Sequence, residues 1–257
     1  MMCSILISNF NKSKYVKRCL ESLIAQTYKN LEIIFSDNNS SDNSLEIVSK
    51  FNHVKILKTD RKTDFPALNQ IDVINKAFNY SNGEIIFLLD SDDFYKKDKV
   101  ERVINFQKEK NLDFVCDIPK IYFNENNIFD FKSKIYFKFL RTWPIIYPTS
   151  SISLSRNFFL DFQKHLYQND FSKLEIDFRL NIFASIKKKY STMHGYDLTY
   201  YNQTNDGIMS SYSKYDKNWW IRRMQAHEYL HKIAEHGNVK NYKNLDYHVT
   251  KLINKIF

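Results

Sequence analysis

The feature that most restricts the fold of this chain is an alternation of short apolar runs with amphipathic stretches in its first half. The apolar runs predict strands at residues 3–8, 31–36, 54–57 and 84–89. Apolar residues between the first two runs recur at spacings of three and four: Val16, Cys19, Leu20 and Leu23. This spacing is typical of a helix. Strands separated by helices need right-handed crossovers, so the pattern predicts an α/β fold with a mostly parallel, Rossmann-like sheet flanked by helices.

Polar side chains follow three of these strands at the point where each strand ends. The sequences are Ser8-Asn9, Asp37-Asn38 and the run Asp90-Ser91-Asp92-Asp93. Because the carboxyl ends of parallel strands share one edge, where such sheets bind their ligands, we expect these side chains to form one site.

The second half of the chain is patterned less clearly. Helical periods recur at residues 97–110, 158–166, 174–187, 219–235 and 242–257, whereas residues 120–150 show no clear period. We therefore expect an α/β domain over residues 1–212 and a helical C-terminal extension over residues 213–257.

Composition limits the function classes. The formal charge of +9 indicates an acidic partner or a lysine-rich solvated surface, and both remain open. Neither G-x-G-x-x-G nor a Walker-type loop is present. We expect a cytoplasmic location, either free or at the inner face of the cell membrane. The reasons are three cysteines without paired spacing, no signal-peptide pattern and no run of about 20 apolar residues.

The acidic cluster predicts a cation site. Three carboxylates at a strand end repel each other, and oxygen ligands of this kind suit Mg²⁺ or Mn²⁺, which can also bind diphosphate oxygens. The alternative is that Asp92 or Asp93 caps the next helix while the other carboxylates face solvent.

Three sequence blocks together resemble family 2 inverting glycosyltransferases. They are SILISNFN at residues 4–11, LEIIFSDNNSSD at residues 31–42 and GEIIFLLDSDD at residues 83–93. The resemblance implies a GT-A fold, with a nucleotide-sugar-binding half at residues 1–115 and an acceptor-binding half at residues 116–212. It also implies transfer of a sugar, with inversion, from a UDP-sugar to a surface-glycan or lipid-linked acceptor, with Mn²⁺ or Mg²⁺ as cofactor. The Gln-x-x-Arg-Trp motif and the membrane spans of processive synthases are not seen in the sequence, so we expect transfer of a single sugar.

The resemblance also implies roles for individual residues. Asp37 would accept a hydrogen bond from the base, and Asn9 and Phe10 would pack against it. Asp90 and Ser91 would lie near the ribose, with Asp92 and Asp90 as metal ligands. Read without the resemblance, Asp37 initiates a turn and Phe10 belongs to the core.

An inverting displacement also needs a carboxylate that takes the proton of the acceptor hydroxyl. The resembling family has this residue in a Glu-Asp pair that opens a helix, and Asp177 falls on the aspartate. Ile176 replaces the glutamate, and Glu175 lies one residue away. We favour Asp177 over Glu175 as the base; the alternative is that both are first-turn carboxylates favoured by the helix dipole.

Three departures from the family pattern affect the prediction. Asn39 stands where a glycine is usual, and asparagine tolerates the left-handed backbone that this position requires. Residues 61–70 replace a stretch that contains glycine and arginine, which leaves the base and the sugar open. Residues 202–211 lie at the position of a lid, with Gln203 and Asn205 as weak candidates for contacting the donor.

Other readings come from different classes. His227, Glu228 and His231 fit the zinc-protease pattern H-E-x-x-H, but apolar residues form a packing stripe on the same helix. A GT-A module that binds nucleotide-sugars without catalysis is a second alternative. A nucleotidyltransferase is disfavoured because the first strand is not followed by a Gly-rich basic loop.

Basic and aromatic residues in the second half suggest a peripheral membrane contact. They are the run at residues 187–189, Arg222, Arg223, Trp143, Trp219 and Trp220. They are too scattered for a nucleic-acid-binding stripe, so no nucleic-acid partner is expected.

Overall fold

The computed structural model of the protein describes residues 1–131, 142–167, 170–188, 190–203, 213–239 and 243–256. The strands are β1 (Cys3–Asn9), β2 (Leu31–Asp37), β3 (Val54–Lys58), β4 (Ile85–Asp90), β5 (Phe94–Tyr95), β6 (Phe114–Asp117), β7 (Lys120–Asn124), β8 (Asn127–Asp130), β9 (Ile152–Ser155), β10 (Tyr190–Met193) and β11 (Thr199–Asn202). The helices are α1 (Ser13–Ile24), α2 (Ser44–Val48), α3 (Pro66–Asn79), α4 (Lys99–Lys110), α5 (Arg156–Gln163), α6 (Ile176–Lys187), α7 (Lys217–His236) and α8 (Leu245–Ile253).

A seven-stranded sheet with the order β10-β6-β9-β4-β1-β2-β3 forms the centre of the described structure. β1 is parallel to β2 and β4, β2 to β3, and β10 to β6. β9 is antiparallel to both β4 and β6, so six strands run in one direction. The prediction of a mostly parallel α/β sheet is confirmed, and the predicted strand ends meet at one edge.

Both faces of the sheet are covered by helices. Because side chains of a strand alternate between faces, Ile5 and Ile7 of β1 pack with α1 and α4, whereas Leu6 packs with α3, α5, α6 and α7. The four apolar residues predicted to form one face of α1 are all buried. This two-sided burial explains why the strands are continuous apolar runs and not alternating ones.

A second sheet with the order β5-β11-β7-β8 was not predicted. β5 is two residues long and follows Asp93 directly, and β11 pairs with it and with β7. The rings of Phe94 and Tyr200 stack across this sheet at 4.6 Å between centroids. The sheet therefore links β5, directly after the acidic cluster, to β11, which lies shortly before residues 204–212.

The C-terminal helices lie close to the predicted positions. Tyr229, Leu230 and Ile233 of α7 belong to the same core as α6, and α8 packs beside α7. The division of the chain at residue 212 stays a prediction. Over the stretches that the structure describes, no helix is long and apolar enough to cross a bilayer.

Candidate functional site

The side chain of Asn9 connects three of the strand ends. Its Nδ2 donates to Asp37 Oδ1 at 2.7 Å and to Ser40 Oγ at 3.0 Å, and its Oδ1 accepts from Ser91 Oγ at 2.7 Å. The pairing register places Asn9 opposite Asp37 on the neighbouring strand. The structure thus brings together Asn9, Asp37 and Ser91, as predicted.

Asp37 is fully buried and well supplied with donors. Besides Asn9, its Oδ1 accepts from the Ser40 hydroxyl at 2.7 Å, and its Oδ2 accepts from the Ser40 backbone N–H at 2.9 Å. The neighbouring Asn38 Oδ1 is buried and has no donor among the described residues. Asn39 has φ of +57°, which confirms that an asparagine takes the left-handed position. A ligand N–H could satisfy the unpaired acceptor of Asn38.

Phe10 lies at the mouth of this region and not in the core, with 38% of its surface exposed. The guanidinium of Arg61 lies 4.7 Å from the centroid of its ring. Arg61 had no role in the sequence prediction, because nothing in its local pattern links it to the end of β1. Together the two side chains provide a flat apolar face with a cation above it.

Asp90 accepts two hydrogen bonds on one oxygen. Oδ1 lies 2.5 Å from Ser8 Oγ and 2.8 Å from Gln70 Nε2. Burial, followed by repulsion from Asp92, raises the pKa of Asp90 to about 6, although the Ser8 and Gln70 bonds and the Lys12 charge act in the opposite direction. Gln70 Oε1 is buried without a donor among the described residues. Gln70 is a site residue that the sequence prediction missed.

Asp92 forms an ion pair with Lys12. Their Oδ2 and Nζ atoms are 2.9 Å apart, and each side chain is 13% exposed. In the part of the chain that the structure describes, no cluster of three or more His, Cys, Asp or Glu side chains is placed to hold a metal. A Mg²⁺-like ion commonly uses one or two carboxylates and takes its other oxygens from phosphates and water, so the pair Asp90 and Asp92 fits such an ion.

Asp93 is held inside the protein and is not a candidate ligand. Its Oδ1 accepts from the backbone N–H of Asn202 at 2.7 Å, and its Oδ2 accepts from the Ser150 hydroxyl. Neither Asp92 nor Asp93 caps the next helix, since α4 begins after Asp98. The third carboxylate therefore links β4 to β11 and to the 3₁₀ turn at Thr149–Ser151.

The two candidate bases at the start of α6 lie in different environments. Glu175 is buried and binds the guanidinium of Arg222 with both oxygens, with Nε–Oε distances of 3.0 and 3.1 Å. Asp177 accepts a 2.7 Å hydrogen bond from the backbone N–H of Phe178. Burial, followed by repulsion from Glu175, raises the pKa of Asp177 to about 7, and the charge of Asp90 contributes.

Tyr201 lies on β11, directly before Asn202, whose backbone N–H donates to Asp93. Burial raises the pKa of the Tyr201 hydroxyl, and the negative charges of Asp93, Asp177 and Asp90 add to the shift, in that order. Nothing in the sequence pattern indicated a role for this residue beyond its place before residues 202–211. Gln203 is described but has no assigned contact, and Asn205 lies outside the described residues.

The model of glycosyl transferase family 2 matches residues 4–175, more than half of the chain. This chain belongs to glycosyl transferase family 2.

Curated relatives agree with the family. The chain is 33% identical over 118 residues to the glycosyltransferase GlyG of Streptococcus pneumoniae, which covers 44% of this chain and 38% of that protein. It is 25% identical over 280 residues to the poly(ribitol-phosphate) beta-N-acetylglucosaminyltransferase TarP of Staphylococcus aureus, covering 94% of this chain and 82% of that protein. The chain spans less than two fifths of the length of the first two curated relatives it matches.

Solved structures share the fold. Residues 1–349 of S. aureus TarS in complex with UDP superpose with a TM-score of 0.66 at 18% identity, covering all of this chain and 70% of that chain. The mannosyltransferase PcManGT of Pyrobaculum calidifontis, in complex with GDP-Man and Mn²⁺, gives a TM-score of 0.56 at 11% identity, covering 99% of this chain and 80% of that chain. At these identities the likeness establishes a GT-A-type fold and no more.

The H-E-x-x-H residues of this family 2 protein pack within the C-terminal helices. His227 is buried, its Nε2 lies 3.2 Å from Asp246 Oδ2, and its ring contacts Trp143. The rings of His227 and His231 both meet Tyr247 of α8 edge-on. These contacts favour a packing role over zinc ligation.

Proposed function

We propose that this chain is a metal-dependent inverting glycosyltransferase that transfers a single sugar from a nucleotide-sugar, with UDP-sugars as the first choice. The observation that carries the proposal is the meeting of Asn9, Asp37 and the acidic cluster at one sheet edge. The nucleotide is assigned to this edge, and the base to Asp177 in the first turn of α6.

The nucleotide would lie across the ends of β1 and β2. Phe10 and Arg61 offer a face for the base, and Asp37 with Asn38 offers buried acceptors for its N–H groups. UDP is favoured because TarS has been solved with UDP and with UDP-GlcNAc, and TarP is named for N-acetylglucosaminyl transfer. Ser91 and Asp90 would lie nearer the ribose and the diphosphate.

Asp90 and Asp92 would hold Mg²⁺ or Mn²⁺. When bound there, such an ion supplies positive charge to the diphosphate leaving group. The residues fit this use because both carboxylates stand at one strand end, and because the described chain supplies too few ligands to enclose an ion without phosphate oxygens.

Asp177 would be the general base. Glu175 is occupied by Arg222, whereas Asp177 has a pKa of about 7, the range in which a carboxylate accepts a proton efficiently at neutral pH. As Asp177 takes the proton of the acceptor hydroxyl, that oxygen bonds to the anomeric carbon and the bond from this carbon to the diphosphate oxygen breaks. Attack opposite to the leaving group inverts the configuration.

The acceptor proposed is a surface glycan or a lipid-linked glycan. The names of TarP and of a poly(ribitol-phosphate) beta-glucosyltransferase of Bacillus spizizenii point to phosphate-bearing polymers among these. The charge of +9 is favourable for an anionic acceptor of this kind.

A peripheral membrane contact is also proposed, with helix α8 as its centre. Arg222 and Arg223 are engaged with Glu175 and Asp246. Helix α8 instead exposes an apolar stripe beside lysines, formed by Leu245 (79% exposed), Val249 (42%) and Leu252 (62%). Flotation with phosphatidylglycerol vesicles should be lost in Leu252→Asp; equal flotation of both proteins, or none at low salt, contradicts the contact.

A nucleotide screen tests the main proposal. Thermal unfolding is measured with UDP, GDP, CDP and dTDP, each with MnCl₂ and with EDTA. We expect UDP with MnCl₂ to give the largest stabilisation, reduced in Asp92→Asn and unchanged in the exposed control Glu109→Gln. No stabilisation by any nucleotide, or an intact shift in Asp92→Asn, contradicts the proposal. Stabilisation without release of UDP from UDP-sugars in the presence of acceptor would favour the non-catalytic binding module, which Ile176 in place of glutamate leaves open.

A further inference from the structure

The ammonium group of Lys12 occupies the position of a cation at Asp92. The Nζ–Oδ2 distance is 2.9 Å, and both side chains are largely shielded from solvent. The charge of Lys12 also acts on Asp90. A single side chain thus partly neutralises both carboxylates that are proposed to hold a divalent ion.

Other cations near the cluster are fixed in place. Arg18 donates to the backbone carbonyl oxygen of Asp92 at 3.3 Å, and its guanidinium lies 4.3 and 4.4 Å from the ring centroids of Phe94 and Tyr122. Lys99 is fully buried and contacts Asp117 at 2.8 Å. The ammonium of Lys12 also lies near an aromatic ring, 5.9 Å from the centroid of Tyr15.

Lys12 differs from these residues in its backbone position. It precedes α1 in the turn after β1, and its carbonyl oxygen accepts the N–H groups of Tyr15 and Val16. These bonds fix the backbone, while four side-chain torsions leave the ammonium a range of positions around it. The same turn follows Asn9 and Phe10, so a diphosphate that extended from the proposed nucleotide site towards Asp92 would approach the ammonium that pairs with Asp92.

We propose that Lys12 is a displaceable counter-ion, which pairs with Asp92 in the empty protein and moves to the donor diphosphate when nucleotide and divalent ion bind. This inference rests on the proposed function, because it requires that Asp92 binds the ion. Mn²⁺ and Lys12 compete for Asp92 in the absence of nucleotide. The diphosphate removes this competition, so nucleotide and ion bind cooperatively.

Binding measurements without turnover test this role. Isothermal titration with MnCl₂ alone, with UDP in EDTA, and with MnCl₂ at saturating UDP is compared in the unmodified protein, Lys12→Met, Lys12→Arg and Lys17→Met. Lys17 is the matched control, because it lies on the exposed face of α1 and pairs with Glu21.

We expect Lys12→Met to bind MnCl₂ alone about 2- to 5-fold more tightly, the size of effect that a single accessible ion pair gives. The same variant should bind UDP in EDTA more weakly, and UDP should enhance its Mn²⁺ affinity less. Lys12→Arg and Lys17→Met should resemble the unmodified protein. A residue that only supports the fold, or only binds phosphate, would not tighten Mn²⁺ binding.

Unchanged or weaker binding of MnCl₂ by Lys12→Met overturns the role of Lys12, as does a lack of detectable binding in every variant. Asp92→Asn separates this failure from failure of the proposed function. If Asp92→Asn retains Mn²⁺ binding at saturating UDP, the metal site itself is wrong. If Asp92→Asn loses it while Lys12→Met is unchanged, only the counter-ion role fails.

Discussion

On one side of the candidate site, Asn9, Asp37 and Asp90 lie at strand ends, whereas on the other side the candidate base Asp177 lies in the first turn of α6. On the strand side, pairing places Ser8 opposite Asp90 and Asn9 opposite Asp37. On the helix side, Glu175 is held by Arg222, which lies 47 residues further along the chain. The strand side is therefore fixed by the sheet itself, and the helix side by a contact between distant segments.

This difference separates binding from chemistry. The strand side provides the candidate groups for the nucleotide and the ion, and the helix side provides the candidate base. Changes on the helix side should alter turnover while nucleotide binding persists, and changes on the strand side should weaken both.

The largest effect is expected from Asp177→Asn. Without a carboxylate to take the acceptor proton, kcat should fall about 10³-fold, in the range usual for loss of a general base. The Kd for UDP with MnCl₂ should stay within about twofold, since Asp177 lies on α6 and not at the strand ends that are proposed to bind the nucleotide. Steady-state transfer and titration calorimetry measure the two quantities. Asp161→Asn, which removes a partly exposed carboxylate paired with Lys187, is the control. Activity retained in Asp177→Asn would transfer the role to Glu175.

The second-largest effect concerns a buried contact between residues 1–115 and residues 116–212. Lys99 of α4 is fully buried and binds Asp117 at 2.8 Å and the Ser150 carbonyl oxygen at 2.7 Å, and it also contacts Thr199. Lys99→Met leaves the buried Asp117 charge uncompensated, which should lower the free energy of unfolding by about 3–5 kcal/mol.

Urea unfolding measures this loss, and Lys97→Met, two residues earlier and exposed, should be near neutral. The double variant Lys99→Met with Asp117→Leu should recover much of the stability, because no buried charge then remains. A loss in the double variant as large as in the single one would argue that Lys99 acts by packing and not by charge.

What the sequence could predict follows the same division. The stripe of α1 and the polar ends of β1, β2 and β4 were predictable, because helix period and strand register are local consequences of sequence. Asn39 in a left-handed conformation was predictable for the same reason. The site residues themselves remain predictions of role, although the structure brings them together.

The groups that sequence did not indicate are held by long-range contacts. β5 is too short to show a period, and its pairing with β11 joins residues more than 100 positions apart. Gln70 bonds to Asp90, 20 positions away, and Lys12 pairs with Asp92, 80 positions away. In sequence, Gln70 and Lys12 look like ordinary residues at or near the start of a helix. Arg222 and Arg223, two of the residues from which a membrane contact was predicted, form ion pairs with Glu175 and Asp246 that no local pattern reveals.

A smaller effect is expected when Asn9 on the strand side is compared with Asn181 on the helix side. Asn9→Ala removes the link between Asp37 and Ser91 and should lower the free energy of unfolding by about 1–3 kcal/mol, with a clear loss of UDP affinity. Asn181→Ala removes bonds to the carbonyl oxygens of Asp177 and Tyr147 at 2.8 and 3.2 Å. We expect a similar loss of stability but little change in the Kd for UDP. Equal losses of UDP affinity in both variants would mean that nucleotide binding depends on the helix side as much as on the strand side.

The smallest effect is a dependence on pH with opposite signs for rate and stability. The pKa of Asp177 is raised from an ordinary carboxyl value to about 7, so the folded protein holds a proton that the unfolded chain has released between about pH 4 and pH 7. Stability should therefore fall as pH rises through this window, whereas kcat/KM should rise towards pH 7 as the base ionises. Asp177→Asn cannot ionise, so its Tm relative to the unmodified protein should increase from pH 5 to pH 8. Differential scanning fluorimetry at several pH values measures this trend, with Asp161→Asn as the control. A constant difference in Tm would show that Asp177 is ionised throughout, and the acid limb of the rate profile would then belong to another group.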